Sequence, residues 1–238
     1  MSATSRFLVL GSLAAAVSAC SVKEARISVS SDLEANVDRL QVTGMGGGGG
    51  GKFRLAGTPG VFRRGADRIG FMDPLFVRYV GGGRFDLQAS DVTPAISARC
   101  AYGEGRVNVG PVSVAHRPLS YMCEIATDGE PNGRLLIHDT GGTLGSVNGR
   151  SEREGTFEYR GQRLVVRSIH RMIGSPLPVQ APLGYMFLAD GRQVGAVDLN
   201  GPDKTILAPR SPEFRQAVIA AGLSLSIFWD PADVQRDY

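Results

Sequence analysis

The chain has 238 residues, 42% of them hydrophobic and 21% charged, with a formal net charge of +3. That length supports one sizeable domain with its own core. Near-balanced charge without a dense basic tract argues against nucleic-acid binding, which depends on neutralising phosphates. Lysine occurs only at Lys23, Lys52 and Lys204, so the basic residues are almost all arginine, which we read as genomic base composition rather than a recognition code.

At the N-terminus Arg6 precedes an apolar run from Phe7 to Val17, which closes on Val17-Ser18-Ala19-Cys20. Charge, apolar core and small residues in that order form a secretory signal. Phe7 to Ala19 is too short for a spanning helix, which needs about 20 apolar residues. The cysteine after the small residues resembles the lipobox of bacterial lipoproteins. That resemblance implies removal of residues 1–19, acylation of Cys20 as the new N-terminus, and a place in the bacterial cell envelope. One acyl chain anchors a protein only marginally and two or more signals hold it stably. Ser21 stands where an aspartate would favour the inner membrane in enteric relatives, so the resemblance implies the outer membrane, facing the periplasm. An ordinary signal peptide would also export the chain and would leave Cys20 a free thiol.

With Cys20 taken by lipid, Cys100 and Cys123 remain as an even pair in an oxidising compartment, which predicts a disulfide between them. A redox-active dithiol would need the close Cys-x-x-Cys spacing that this pair lacks.

Residues 20–51 read as a lipidated stem with a glycine-rich linker, and 52–238 as one β-rich domain. Within the stem Leu40-Gln41-Val42 has strand character, and the six glycines from Gly46 to Gly51 predict a tether or mobile loop, because glycine loses most backbone entropy on ordering. Beyond it, short apolar runs at 52–56, 75–80, 84–89, 95–102, 106–115, 119–125, 134–138, 156–159, 163–173, 183–189, 193–198 and 205–208 predict strands. Asp128-Gly129, Asn132-Gly133, Asn148-Gly149, Asp190-Gly191 and Asn200-Gly201 predict turns, with Asp190-Gly191 the best hairpin. Gly-Gly-Gly-Lys-Phe-Arg-Leu at 49–55 is echoed by Gly-Gly-Gly-Arg-Phe-Asp-Leu at 81–87. At the C-terminus Ser211-Pro212-Glu213 is a helix start. The run from Ala217 to Trp229 is uncharged and apolar on every face, so this helix must be buried on every face. Asp230-Pro231 ends it.

The expected fold is mainly β: a closed or nearly closed antiparallel barrel around a buried hydrophobic C-terminal helix, with a β-sandwich carrying one packed helix as the alternative. A barrel of about twelve strands around such a helix resembles the tubby-like superfamily, which includes LURP-one-related proteins and phospholipid scramblases; Asp190-Gly191-x-x-Val194-Gly195 is the best local echo. The resemblance implies that the helix fills the interior. It carries over no catalytic or lipid-binding residue.

Several motifs invite chemistry. Gly46-x-x-x-x-Gly51-Lys52 matches a phosphate-binding loop until Phe53 takes the place of Ser or Thr. Asp139-Thr140-Gly141 follows an apolar run as in aspartic proteases, but that chemistry needs two carboxylates sharing a proton and a hairpin turn explains the same residues. His116, His138 and His170 lack zinc-ligand spacing, so a partly exposed strand histidine is expected. Arg163, Arg167 and Arg171 flank a strand and could meet lipid phosphates. The sequence therefore reads as a non-catalytic, membrane-anchored envelope module with no cofactor, attached through Cys20 and taking a phospholipid or another envelope protein as partner. A lipid-handling module and a hydrolase using Asp139 are the alternatives.

Overall fold

A computed structural model describes residues 26–71, 75–109, 112–140, 151–175 and 177–231. After a short helix α1 (Ser31–Ala35) come β1 (Val37–Thr43), β2 (Gly50–Leu55), β3 (Thr58–Phe71), β4 (Phe76–Leu87), β5 (Ile96–Val109) and β6 (Val112–Thr127). The second half holds β7 (Glu130–Asp139), β8 (Arg153–Tyr159), β9 (Gln162–Ile169), β10 (Gly184–Ala189), β11 (Arg192–Asp198), β12 (Lys204–Pro209) and the helix α2 (Pro212–Ser226). Each strand pairs antiparallel with its chain neighbour, and β1 pairs with β12 to close a twelve-stranded barrel. This barrel with its C-terminal helix is consistent with the tubby-like fold.

The seam corrects the expected boundary at Lys52. β1 lies within the supposed stem, yet it joins β12 from Val37↔Pro209 to Val42↔Lys204 and β2 at Val42↔Leu55. The glycine run is split: Gly46 to Gly49 connect β1 to β2, whereas Gly50 and Gly51 are strand residues. β3 was not expected, because glycine, proline and charge interrupt its apolar alternation. The runs at 75–80 and 84–89 are one strand, β4, with Gly81 to Gly83 inside it. A Cβ on Gly81 would sit 2.4 Å from the Gly65 carbonyl oxygen and 2.6 Å from the Tyr102 ring, so glycine permits close approach here and makes no turn. The run 106–115 is the end of β5 and the start of β6. Asn132-Gly133 lies within β7, whereas Asp128-Gly129 and Asp190-Gly191 turn as expected, each with positive φ at both residues.

One barrel rim carries the β2–β3, β4–β5, β6–β7, β8–β9 and β10–β11 turns and the start of α2; the opposite rim, called lower below, carries the end of α2. Ser211 caps α2, its hydroxyl accepting from the Glu213 amide, and Pro212 opens the helix. Every residue from Ala217 to Ser226 is buried. The helix packs chiefly on β12 and β11 and also reaches β5 and β8, so it shares one core with the inward side chains of the wall. Ser224 and Ser226 donate to the carbonyls of Ala220 and Gly222 at 2.9 and 2.7 Å, which satisfies the two hydroxyls within the helix itself.

Two features lie outside the closed wall. The segment before β1 crosses the outer face: the Ile27 amide donates to the Asp198 carboxylate at 3.1 Å near the lower rim, and Ile27, Leu33 and Val37 cover Ile169, Ala196 and Leu207. β3 also runs past its last β2 partner, Arg63↔Gly50, and β6 begins before its pairing with β7 at Ser120↔His138. Beyond those points β3 to β6 continue as a four-stranded wing at the lower rim.

Cys100 and Cys123 are register partners on β5 and β6 and form the expected disulfide, 23 residues apart in sequence. Closing that loop stabilises the fold by about 3 kcal/mol in the chain-entropy picture. Reduction, or a Cys100→Ala/Cys123→Ala variant, should lower the urea midpoint accordingly.

Candidate functional site

The residues singled out in the sequence do not converge on one site. Cys20 lies outside the described residues, as does Gly141 of the Asp-Thr-Gly motif. Arg163 and Arg167 share the outer face of β9, each facing a β8 glutamate: Glu158 at 3.9 Å and Glu154 at 3.2 Å. Arg171 is exposed in the β9–β10 connection, so the three arginines form no common basic face. The phosphate-loop look-alike opens into strand β2 where that motif needs a helix. His116 is on the wing and His138 on outer β7. His170 is buried, contrary to the expected partial exposure, with its ring nitrogens 2.9 Å from the Ser168 hydroxyl and 3.1 Å from the Val179 carbonyl.

Asp139 belongs to a buried ion cluster. Its carboxylate is 2.7 Å from Nη1 of Arg153, a side chain with no exposed surface. Through Nε and Nη2 the same guanidinium donates to both Asp230 oxygens, at 3.2 and 3.0 Å. A cation thus stands between the two aspartates, where an aspartic dyad would share a proton. Nearby, Glu104 is fully buried; Oε1 accepts from Arg106 Nε at 2.7 Å, and Oε2 has no hydrogen-bond partner among the described residues. Burial pushes the Glu104 carboxyl above the ordinary glutamate range, against the opposing pull of Arg106 and Arg153. The folded state therefore holds this proton more firmly than the unfolded chain. Its contribution to stability should fall as pH rises from the ordinary glutamate value through the raised one. Melting temperatures across that window should show the fall in the wild type and a flatter profile in Glu104→Gln.

A different arrangement stands out on the outer wall. One cross-strand row runs Arg63↔Arg84↔Arg99↔Glu124↔Arg134↔Glu158↔Arg163 from β3 to β9. From Arg99 onward the signs alternate, as directly opposed charges should. The first three are all arginine, all exposed, and directly opposed like charges destabilise a sheet. Among the described residues neither Arg63 nor Arg84 has a hydrogen-bond or ion-pair partner for its guanidinium. The adjoining outward row is Gly65↔Gly82↔Ala101, which leaves backbone bare beside the guanidinium groups. Gly49, Arg63, Gly65, Gly82, Arg84 and Arg99 line a depression of about 650 Å³. A neighbouring one of about 800 Å³ lies over Lys52, Arg54, Val61 and Asp86. Three strands at about 4.8 Å spacing set the outer arginines about 10 Å apart at the backbone, room for more than one anionic group.

No family model, curated protein or solved structure matches the chain.

The arginine row was missed in sequence because its members are 21 and 15 residues apart and only the register aligns them. The one available signal was the echo of 49–55 in 81–87. Those segments are β2 and β4, flanking β3, and they place Phe53 and Phe85 in edge contact in the core, 6.3 Å apart. The same alternation turns Lys52 and Arg84 outward beside their glycines.

Proposed function

We propose that the protein is a non-catalytic binding module of the bacterial cell envelope, held to the membrane by acylated Cys20, that takes a polyanionic envelope component across Arg63, Arg84 and Arg99. The single-sign row carries this reading, since it spends stability that the alternating half of the same row does not. The packed interior supports a ligand on the outer wall rather than in a lipid cup. The tie between Asp139 and Arg153 weighs against a hydrolase.

Titration calorimetry with soluble short-chain phosphatidic acid tests the ligand, with inorganic phosphate as a second probe. The wild type should bind the phospholipid in a salt-sensitive way. Arg84→Gln should weaken binding about tenfold or more, given about 1.5–3 kcal/mol for a charge-assisted hydrogen bond. Arg163→Gln should leave binding unchanged. Equal loss from both variants, or no binding by the wild type, would refute the row as the site. Mass spectrometry of membrane-extracted protein tests the anchor, with diacyl or triacyl Cys20 as the expected species.

A further inference from the structure

The end of the barrel from which the N-terminal segment departs carries its own apolar and basic surface. Ile27 sits beside Asp198 and Met172 at the lower rim, and the Ile173 amide donates to the Arg26 carbonyl at 2.8 Å. Arg26 follows Cys20 by six positions, a contour of at most about 20 Å. Ile173 is 55% exposed and Leu177, in the same β9–β10 connection, is 73% exposed, with exposed Arg171 beside them.

The wing leaves the same rim. From Arg63 to Ile69, β3 advances about 20 Å at 3.3 Å per residue. On its outward face Phe76 is opposite Val107 and Ile69 opposite Arg78, while Arg117 faces Gly105. Ile69 is 53% and Phe76 41% exposed, and Arg78 and Arg117 are exposed as well. Exposed apolar side chains among arginines, with exposed Asp67 two residues from Ile69 on the same face, suit the headgroup layer of a bilayer, which takes apolar groups at its acyl boundary and cations at its anionic phosphates.

We infer that the lower rim is a membrane-contact surface, in which Ile69 and Phe76 of the wing and Ile173 and Leu177 of the β9–β10 connection enter the interface of an anionic bilayer while Arg78, Arg117 and Arg171 meet its headgroups. The occupant follows from the tether: a chain acylated at Cys20 brings this rim to the bilayer. The inference rests on the anchor proposed above.

The test uses the full processed chain in vesicles of phosphatidylcholine and phosphatidylglycerol with brominated acyl chains. The chain has one tryptophan, Trp229, whose quenching in the wild type sets the baseline. Phe76→Trp and Leu177→Trp should each add a blue-shifted emission, most of which the brominated lipid removes. Glu130→Trp, exposed at the β6–β7 turn on the opposite rim, should add emission that the lipid leaves intact. Flotation of the same samples reports the anchor separately. Protein that floats but shows no added quenching at 76 or 177 overturns the contact surface and leaves the anchor standing. Protein that fails to float removes the anchor and this orientation together. A blue shift at 76 that depends on protein concentration and not on vesicles assigns the rim to a second copy, and also overturns the inference.

Discussion

Replacing Arg153 with methionine should destabilise the protein by about 3–5 kcal/mol, the range for breaking a buried ion pair from one side. The guanidinium has no exposed surface and bridges Asp139 on β7 to Asp230, just past α2. Burial alone would lower its pKa; Asp230 first, with Tyr185 and Asp139, outweighs that and holds it above the ordinary arginine value. Without it, two largely buried carboxylates would face one another near Glu104. The urea midpoint should drop while the m-value stays constant, the sign of lost stability without a changed denatured state. Adding Asp139→Asn and Asp230→Asn to Arg153→Met should restore much of the loss, since removing a whole buried cluster costs far less than orphaning part of it. A loss below about 1 kcal/mol for Arg153→Met would mean that the cluster is solvated, since exposed pairs are worth no more than that.

The parts of this fold that were legible are those in which local chemistry decides the outcome. Ser211 and Pro212 start α2 because a cap and a proline act within one turn, and Asp190-Gly191 makes a hairpin because positive φ is a property of those two residues. The errors share a cause. Gly81 to Gly83, Gly50 and Gly133 read as breaks, yet each stands where a neighbouring strand or ring approaches, a fact of tertiary packing that no local window contains. β1 is obscured by the glycines after it, although Leu40 and Val42 give it strand character. The candidate site was less legible still. Arg163 and Arg167 are near neighbours in sequence, yet the register gives each a glutamate; Arg63, Arg84 and Arg99 are far apart in sequence, yet the register sets them side by side.

The second large effect concerns the helix in the barrel. Leu223→Ala should cost about 2–5 kcal/mol, the transfer loss plus the cavity left behind. The figure presumes a site that cannot collapse, and the neighbours support that. A Cβ on Gly222 would meet Ile206 at 2.9 Å, and one on Gly195 of β11 would meet Val218 at 2.6 Å, so α2 already lies against the wall at glycine distance. The wall is a closed hydrogen-bonded cylinder and cannot shrink by one side chain. Leu223 itself is fully buried within the core that joins α2 to the wall. A hollow, ligand-holding barrel would respond differently: a shortened side chain on its lining would enlarge an existing solvent-filled space at small cost. The size of the loss thus separates a packed barrel, whose work is done on its outer wall and rim, from a cup that carries its ligand inside. A denaturation midpoint close to that of the wild type would favour the cup.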